Sequence, residues 1–274
     1  MLWLTWRQHR TQALATAVLI AGVWVLLLLD SVPMDLIKML PFAPVLIGLF
    51  WGVPLVVKEF ERGTSQLVWT QSVRRSRWIV GKLAGLGVAV ALAGLALGAI
   101  VTGWIGTSDT PMGRFSGELF GSTGVAPSAW FLAVFALGAA AGAVLRRMLP
   151  AMAVTVVVFV ALVFGVSFSR EYYVAPVVAL ETSAGIDVPA DALVGDTGVV
   201  NAAGERLTWH DAFSLCADAN PVDCMADRGY GQEFVAYHPA DRYWRFQWTE
   251  AALLLVFAAA CAAVTAHRVV RRPI

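Results

Sequence analysis

The sequence predicts an all-α membrane protein with six transmembrane helices. Of its 274 residues, 58% are hydrophobic and only 14% are charged, whereas an ordinary soluble domain carries roughly 25% charged residues. The mean hydropathy is +0.69, and the apolar residues are gathered in long runs rather than dispersed. A long polar stretch before the last run predicts a sizeable extracytoplasmic insertion.

The first twelve residues, MLWLTWRQHRTQ, predict a helix lying at the membrane interface. Trp3 and Trp6 fall near one side of such a helix, and basic residues follow them. Tryptophan prefers the headgroup level, so we expect both side chains to act as interfacial anchors for an elbow helix over residues 1–12. A frayed terminus leading into the first span is the alternative. The apolar run that follows lacks a convincing cleavage site and is expected to remain as an anchor.

Six apolar runs come close to the ~20 residues that a bilayer core requires. The predicted spans are residues 13–29, 39–57, 83–105, 129–145, 150–168 and 249–266. The second run contains Pro41, Pro44 and Pro54, and proline kinks membrane helices where neighbours satisfy the freed carbonyls. The corresponding division of the chain is an elbow (1–12), five spans (13–169), an outer domain (170–246) and a last span with a cytoplasmic tail (247–274).

Three glycine pairs predict close contacts between helices. Each pair has the GxxxG spacing that lets helices approach closely; the pairs are Gly81 and Gly85, Gly94 and Gly98, and Gly138 and Gly142. Packing inside one bundle is the simpler interpretation, and a contact with a second subunit is the alternative.

The distribution of basic residues predicts the orientation. With six spans both termini lie on one side, and that side collects 13 of the 20 lysines and arginines, including every cluster in a short loop. The positive-inside rule therefore places both termini and the charged segment 58–82 in the cytoplasm.

Residues 170–246 are acidic and are expected to fold outside the membrane. Cys216 and Cys224 lie close together there, where oxidation is permitted, and a local disulfide is predicted. Two free thiols are the alternative. A zinc site that adds His210 and His238 has looser spacing than structural zinc sites normally show.

Polar and aromatic residues near the ends of the spans are expected to lie at the membrane surface. Tyr243, Trp244 and Trp248 are predicted interfacial anchors. Glu250 and Lys82 also lie at span ends, where their side chains can snorkel to the interface. An ion-coupled carrier usually retains buried ionisable groups as relays, so the sequence argues against that class.

The chain is not expected to be an enzyme. It contains no GxxxxGK[ST] phosphate-binding loop and neither an HExxH nor a GxSxG motif. We therefore expect no metal or cofactor in this chain, and energy for any work must come from another polypeptide. A membrane enzyme using His210 and Asp211 of the outer segment is a remote alternative.

The segment 58–82, KEFERGTSQLVWTQSVRRSRWIVGK, is a charged island between two apolar runs. Its acidic pair and Gly-Thr (Glu59, Glu61, Gly63 and Thr64), the run TQSVRRSRW and Lys82 at the start of the next span resemble the permeases of type-two ATP-binding-cassette (ABC) transporters, mostly bacterial exporters. The opening WLTWRQHR and the arrangement of six spans are similar as well, so the resemblance extends along the chain.

The resemblance implies a complex of two permease subunits, the same or related, and two separate ATPase subunits that hold ATP and Mg²⁺. The island would then contain the coupling helix, with an apolar strip facing a groove of the ATPase and charged residues at its rim. The residues expected to carry coupling are Glu59, Glu61, Gly63, Thr64, Leu67, Trp69, Arg74, Arg75 and Arg77. A positively charged loop that only fixes topology is the alternative.

The expected function is export of a hydrophobic or amphiphilic substrate, such as a drug, lipid or peptide, across a bacterial plasma membrane. Membrane lipid is the other expected partner, and nucleic acid is not expected. The long outer segment departs from the family, which usually has short re-entrant helices at that place. This departure favours a second possibility, an ABC-linked sensor that binds a ligand through its outer domain without transporting it.

Overall fold

A computed structural model describes residues 2–29, 37–61, 75–107, 113–117, 119–182, 185–189, 191–217 and 220–271. For residues 2–12, 59–61 and 75 the description covers the backbone only. The α-helices are α1 (Leu2–Leu28), α2 (Ala43–Ile47), α3 (Val53–Glu61), α4 (Arg75–Ile105), α5 (Ala126–Leu145), α6 (Met148–Ser169), α7 (Trp209–Leu215), α8 (Pro221–Asp227) and α9 (Tyr243–Arg271).

Within the described residues, five helical segments are long and apolar enough to cross a membrane. They are Leu40–Lys58, Ser76–Ile105, Ala126–Leu145, Met148–Tyr172 and Ala240–Arg271, while the apolar part of α1, Ala13–Leu28, is shorter. These segments correspond to the six predicted apolar runs, and the protein is a multi-pass membrane protein. The count of six spans stays a prediction because the first run is the short one.

The N-terminal region differs from the predicted elbow. Helix α1 runs from Leu2 to Leu28 without interruption, so the described backbone has no boundary between the predicted interfacial helix and the first span. The physical reason is local: the first glycine is Gly22 and the first proline is Pro33, so nothing before the middle of the span breaks a helix. The positions of the Trp3 and Trp6 side chains lie outside the description, and their role as anchors stays a prediction.

Helix α5 forms the centre of the bundle. It is buried along nearly all of its length, and half of its residues are alanine or glycine, which lets neighbouring backbones come close. Pro127 stands in its first turn, where the missing N–H has no intrahelical partner to lose. The helix ends where Arg146 takes a left-handed conformation (φ 56°), and α6 begins two residues later.

The outer segment contains a β-sheet, so the prediction of an all-α protein is wrong for this region. Strands β1 (Val177–Leu180), β2 (Leu193–Asn201), β3 (Arg206–Thr208) and β4 (Tyr230–His238) form an antiparallel sheet in the order β1-β4-β2-β3. These short strands are rich in valine and aromatic residues, which suit a half-buried pleated surface. Gly204 (φ +83°) supplies the turn between β2 and β3.

Helices α7 and α8 cover one face of the sheet. Val199 of β2 packs with Ala212 and Met225 of the two helices in a buried cluster. Thr208 caps α7 by accepting a hydrogen bond from the Asp211 N–H at 3.2 Å, and Asn220 caps α8 by accepting from the Val222 N–H at 3.1 Å. These caps satisfy backbone donors that a short helix would otherwise leave unpaired.

The sheet domain is fastened to the start of α9. Phe115, Phe120, Leu193, Tyr243 and Phe246 form one buried cluster, which draws on the α4–α5 connection, on β2 and on α9. Arg242 also donates a hydrogen bond to the Ala175 carbonyl at 2.7 Å. The outer domain therefore rests on the membrane bundle through packed side chains as well as through its two chain connections.

Candidate functional site

The second span changes its helical form halfway along. Residues Leu40–Phe42 form a 3-10 turn, α2 follows, residues Gly48–Gly52 form a π-helical turn, and α3 continues to Glu61. Pro54 accounts for the π turn, since proline has no N–H for the Phe50 carbonyl and its ring would press against that carbonyl. The wider turn relieves this contact. Within it the Val53 N–H donates to the Gly48 carbonyl, five residues earlier, rather than to the carbonyl four residues earlier as in an α-helix. Such π turns inside α-helices are frequent at functional sites.

Four glycines bring the backbone of this π turn against that of α5. A Cβ atom at Gly52 would lie 2.5 Å from the Phe135 carbonyl oxygen, and one at Gly48 would lie 2.9 Å from the Val134 carbonyl oxygen. On the other side, a Cβ at Gly138 would overlap the Gly48 carbonyl oxygen. Gly142 approaches Val53 in the same way, with 2.9 Å between its virtual Cβ and the Val53 carbonyl oxygen. We call these four glycines the glycine junction.

The three glycine pairs predicted from spacing have different outcomes. Gly138 and Gly142 belong to the glycine junction, and Gly94 and Gly98 of α4 approach the backbone of Ser128 and Gly124. Packing inside the bundle is therefore confirmed for two pairs. A Cβ at Gly81 or Gly85 would meet no described atom within 4 Å. A further pair within a span, Gly48 and Gly52, has the same GxxxG spacing and was not among the predicted pairs.

The charged island begins and ends in helices that continue from the membrane. Helix α3 carries the chain out to Glu61, and α4 starts at Arg75. Gly63, Thr64, Leu67, Trp69 and Arg74 lie outside the described residues. Of Glu59, Glu61 and Arg75 only the helical backbone is described, and Arg77 is exposed. The coupling helix and the roles of these residues stay predictions.

Lys82 is not at the surface, contrary to the prediction that it snorkels. Its side chain is 7% exposed, and its ammonium lies 4.4 Å from the centre of the Trp78 ring. Trp78 stands one turn earlier on α4, so the two side chains meet on the same helix face. A cation over an indole ring is a favourable contact, and it fixes both side chains where the island returns to the membrane.

Glu250 is likewise buried rather than snorkelling, and it forms an ion pair. Its carboxylate is fully enclosed; Oε2 accepts from Arg170 Nε at 2.8 Å and Oε1 accepts from Arg170 Nη2 at 3.2 Å. Trp130 of α5 donates its indole N–H to Oε1 at 2.7 Å. The Arg170 guanidinium also lies 4.8 Å from the centre of the Phe120 ring. We call Arg170, Glu250 and Trp130 the outer ion-pair cluster.

Gln247, one turn before Glu250, caps the first turn of α5. Its side-chain oxygen accepts from the N–H groups of Val125 and Ala126 at 3.0 and 2.8 Å, and its amide donates to the Phe120 carbonyl at 3.1 Å. Buried helix N–H groups need such partners. The sequence carried a signal for this face, because Tyr243, Gln247 and Glu250 follow each other at helical spacing.

The three predicted aromatic anchors of α9 separate into two environments. Trp244 and Trp248 are exposed (49% and 61%), as side chains at a membrane surface would be. Tyr243 is buried, and its hydroxyl donates to Thr123 Oγ1 at 3.0 Å. The prediction that Tyr243 is an interfacial anchor is therefore wrong, since its ring packs against Phe115 and Phe120 instead.

The outer domain holds Cys216 and Cys224 in a disulfide, with the Cα atoms 6.2 Å apart.

The described residues contain no group of three or more His, Cys, Asp or Glu side chains able to hold a metal. His210 is exposed, while His238 is buried against Phe246, with the ring centres 4.8 Å apart. Asp211 lies in the first turn of α7 and accepts a hydrogen bond from the hydroxyl of the capping residue Thr208 at 2.8 Å, which gives it a structural contact rather than a pairing with His210.

The match with a known protein family covers helices α2–α6 of the bundle and ends before the β-sheet of the outer segment. The model of the family described as ABC-2 membrane transporter related matches residues 29–170, just over half of the chain. This region contains the glycine junction, the island and the helices through Arg170. The searches of curated proteins and of solved structures give no match. The chain belongs to the ABC-2 membrane transporter related family.

Proposed function

We propose that this protein is the membrane-spanning permease subunit of an ATP-driven transporter. In this proposal two ATPase subunits supply ATP hydrolysis with Mg²⁺, and a second permease subunit, the same or related, completes the pathway. The complex exports a hydrophobic or amphiphilic substrate across a bacterial plasma membrane, with both termini of this chain in the cytoplasm. Family membership supports a membrane permease that works with ABC components, and the absence of a phosphate-binding loop from the sequence supports a separate ATPase.

The observation that carries the proposal is the path from the island to the centre of the bundle. Helix α3 runs unbroken from Glu61 at the island to Val53 at the glycine junction. At Gly52 and Gly138 the atoms that a Cβ would meet are backbone atoms, which do not move aside alone, so we expect a displacement of α3 to displace α5 as well. A push on the island by a closing ATPase would reach the buried central helix in this way.

Coupling through the island requires that each nucleotide state of the ATPase favours one particular conformation of the permease. A partner changes the balance between two conformations only through its different affinity for each of them. The π turn at Gly48–Gly52 gives the second span a place where its form can change without breaking the helix. We infer that ATP-driven closure moves α3 as a lever about this turn.

Copurification with an ATPase, followed by transport assays in inverted vesicles, tests the proposal. We expect a polypeptide carrying GxxxxGK[ST] to copurify and ATP to drive uptake of an amphiphilic probe such as a fluorescent lipid. Charge reversal by Glu59→Lys with Glu61→Lys should abolish coupled ATPase activity while the permease still inserts. An unchanged coupled activity in this variant would remove the island from the mechanism, and a C-terminal reporter that responds as extracytoplasmic would refute the topology.

The outer domain supports a second candidate, an ABC-linked sensor that binds a ligand without transporting it. The observation in its favour is that this segment has its own sheet, its own buried cluster and a disulfide. ATP-dependent accumulation of substrate in the vesicle assay excludes a pure sensor. Ligand-stimulated ATPase activity without accumulation would favour it.

A further inference from the structure

His238 ends strand β4 where the outer domain meets the membrane bundle. We call the buried cluster at this place the joint; it consists of Phe115, Phe120, Leu193, Tyr243 and Phe246. His238 pairs with Leu193 across the sheet, and its side chain is 2% exposed. Its ring centre lies 4.8 Å from that of Phe246 on α9. The imidazole therefore lies between the sheet and the helix on which the sheet rests.

One ring nitrogen of His238 faces a guanidinium group. His238 Nδ1 lies 3.4 Å from Arg242 Nη1, and the same Nη1 donates a hydrogen bond to the Ala175 carbonyl at 2.7 Å. A guanidinium only donates hydrogen bonds, whereas a neutral imidazole accepts one through the nitrogen that carries no proton. The contact is therefore favourable only while Nδ1 is unprotonated. In that state Arg242 links the end of β4 to the chain that enters the outer domain at Ala175.

Protonation of His238 reverses this contact. Nδ1 then carries a hydrogen and the ring carries a positive charge, beside a guanidinium that keeps its own charge. Burial and, secondly, the Arg242 guanidinium lower the pKa of His238 below its usual 6.5, so the ring is neutral near pH 7 and becomes charged only in acid. A charge buried without a partner favours any conformation that returns it to water.

The described part of the joint holds no free counter-charge for a protonated His238. Among the described residues, Arg242 is the charged group that acts on this histidine. The other titratable or charged groups of the elements packed there are engaged elsewhere or exposed: Glu250 with Arg170, Arg114 with the Tyr243 ring, Tyr173 with Ser169, and Glu171, Asp191 and Asp241 at the surface. Protonation therefore leaves two positive groups facing each other.

The outer domain has a core of its own that does not include His238. Val199, Ala212 and Met225 are buried together beneath α7 and α8, and the Cys216–Cys224 disulfide closes the same region. The His238 ring instead meets Phe246 of α9. Charge on the ring is therefore relieved most directly by separation of the sheet from α9, with the core of the domain intact.

We propose that His238 is an acid-operated release of the outer domain from the membrane bundle. Near neutral pH the uncharged imidazole accepts from Arg242 and packs against Phe246, and the domain stays docked. In acid the imidazolium is repelled by Arg242, water enters the joint, and the sheet separates from the start of α9 and from the α4–α5 connection. The proposal does not depend on ATP-driven transport.

Hydroxyl-radical footprinting of the full-length protein in lipid nanodiscs tests the release. Oxidation of each side chain, measured by mass spectrometry, is compared at pH 7.5 and pH 5, and Phe213, which is 59% exposed, reports the radical dose. We expect oxidation of the buried Phe115 and Phe246 to rise several-fold in acid, while Met225 in the domain core stays protected. Unchanged oxidation at the joint would overturn the proposal. An equal rise at Met225 would also overturn it, because the domain would then be unfolding.

His238→Gln separates this histidine from the other groups that titrate in acid. Glutamine keeps an acceptor for Arg242 but binds no proton in this range, so the variant should remain docked at pH 7.5 and lose the rise in oxidation at pH 5. His210→Gln replaces an exposed histidine and should leave the rise intact. A rise in His238→Gln as large as in the unmodified protein would overturn the proposal.

A reversible lock decides the matter for a protein that keeps His238, should His238→Gln already loosen the joint at pH 7.5. A Cβ at Gly113 would lie 2.9 Å from the Asp191 Cβ, so Gly113→Cys with Asp191→Cys places two thiols within reach of each other. Their disulfide ties the α4–α5 connection to the chain entering β2. We expect Phe246 to stay protected at pH 5 in the oxidised protein and the rise to return after mild reduction. Equal rises in both forms would show that the domain does not move and would overturn the proposal.

Discussion

Arg170 and Glu250 meet at the end of the bundle that carries the sheet, where two hydrogen bonds of 2.8 and 3.2 Å join them. Arg170 follows the last residue of α6, and Glu250 lies two turns into α9. The two residues flank the segment that forms the outer domain, and Trp130 of α5 donates to the same carboxylate. One ion pair thus fastens the entry and the exit of the outer domain to the central helix.

Glu250→Gln should lower the stability of the protein strongly. The variant keeps an acceptor for Trp130 but leaves the Arg170 guanidinium, which is 11% exposed, without its counter-charge. Loss of one partner from a buried pair costs about 3–5 kcal/mol. We expect a clear drop in the midpoint of thermal unfolding of the detergent-purified protein, measured by size-exclusion chromatography after heating.

The matched experiments separate lost pairing from a general effect of the substitution. Asp227→Asn neutralises an exposed acid of the outer domain and should change stability by less than about 0.5 kcal/mol. Arg170→Met combined with Glu250→Gln removes the unpaired charge and should recover most of the loss. Additive losses in the double variant would show that the two charges do not stabilise each other.

Gly52→Ala should destabilise the glycine junction. Its Cβ would lie 2.5 Å from the Phe135 carbonyl oxygen and 3.0 Å from the Gly138 Cα, and these are backbone atoms that cannot move aside alone. Overpacking of this kind costs about 1–3 kcal/mol. Thermal unfolding of the purified variant measures the loss, and coupled ATPase activity in the assembled complex should fall with it.

Gly85→Ala is the control for this change, because a Cβ there meets no described atom within 4 Å. Without a clash, alanine is favoured over glycine in a helix by about 0.5–1 kcal/mol. We expect unchanged or slightly raised stability. Equal losses at Gly52 and Gly85 would contradict the contact between the π turn and α5.

The sequence was sufficient for the positions of the five long apolar helices, because an apolar run of membrane length with few charges is typical of a transmembrane helix. It was not sufficient for the outer ion-pair cluster. Arg170 and Glu250 are separated by 80 positions, and a single sequence contains nothing that pairs them. A charge near the end of an apolar run is ordinarily at the surface, which is why Glu250 was placed there.

The sheet was missed for a different reason. Its strands are four, nine, three and nine residues long, and they lie within a segment whose acidic residues and turns dominate the pattern. The stretch LVGDTGVVN of β2 mixes apolar, polar and glycine residues, so no regular alternation marks it as a strand. Pairing with β4 supplies its order, and that pairing is a long-range contact.

Acidification should destabilise the outer domain through His238. Burial and the neighbouring Arg242 guanidinium lower the pKa of His238 below its usual 6.5. The folded state therefore binds the proton less readily than the unfolded state, and stability present above about pH 6.5 is lost as pH falls towards the lower folded pKa. The slope from one such group is at most about 1.4 kcal/mol per pH unit.

Hydrogen exchange of β4 and the start of α9 between pH 7.5 and 5 measures this effect after correction for intrinsic exchange rates. His238→Gln removes the titration and should flatten the dependence. His210→Gln changes an exposed histidine and should leave the dependence as in the unmodified protein. The same slope with and without His238 would assign the pH effect to other groups.

Removal of the Cys216–Cys224 bond should loosen the part of the outer domain that α7 and α8 form. The two residues are eight positions apart, and closing a loop of this length restricts the unfolded chain by roughly 2.5 kcal/mol in the entropic model. Cys216→Ala with Cys224→Ser should lower local stability by about this amount, measured by proteolysis within residues 209–227. Cys261→Ser, a change in α9 away from this loop, should leave the proteolysis unchanged. Labelling of denatured protein should also gain two thiols after reduction, and equal labelling before and after reduction would contradict the bond.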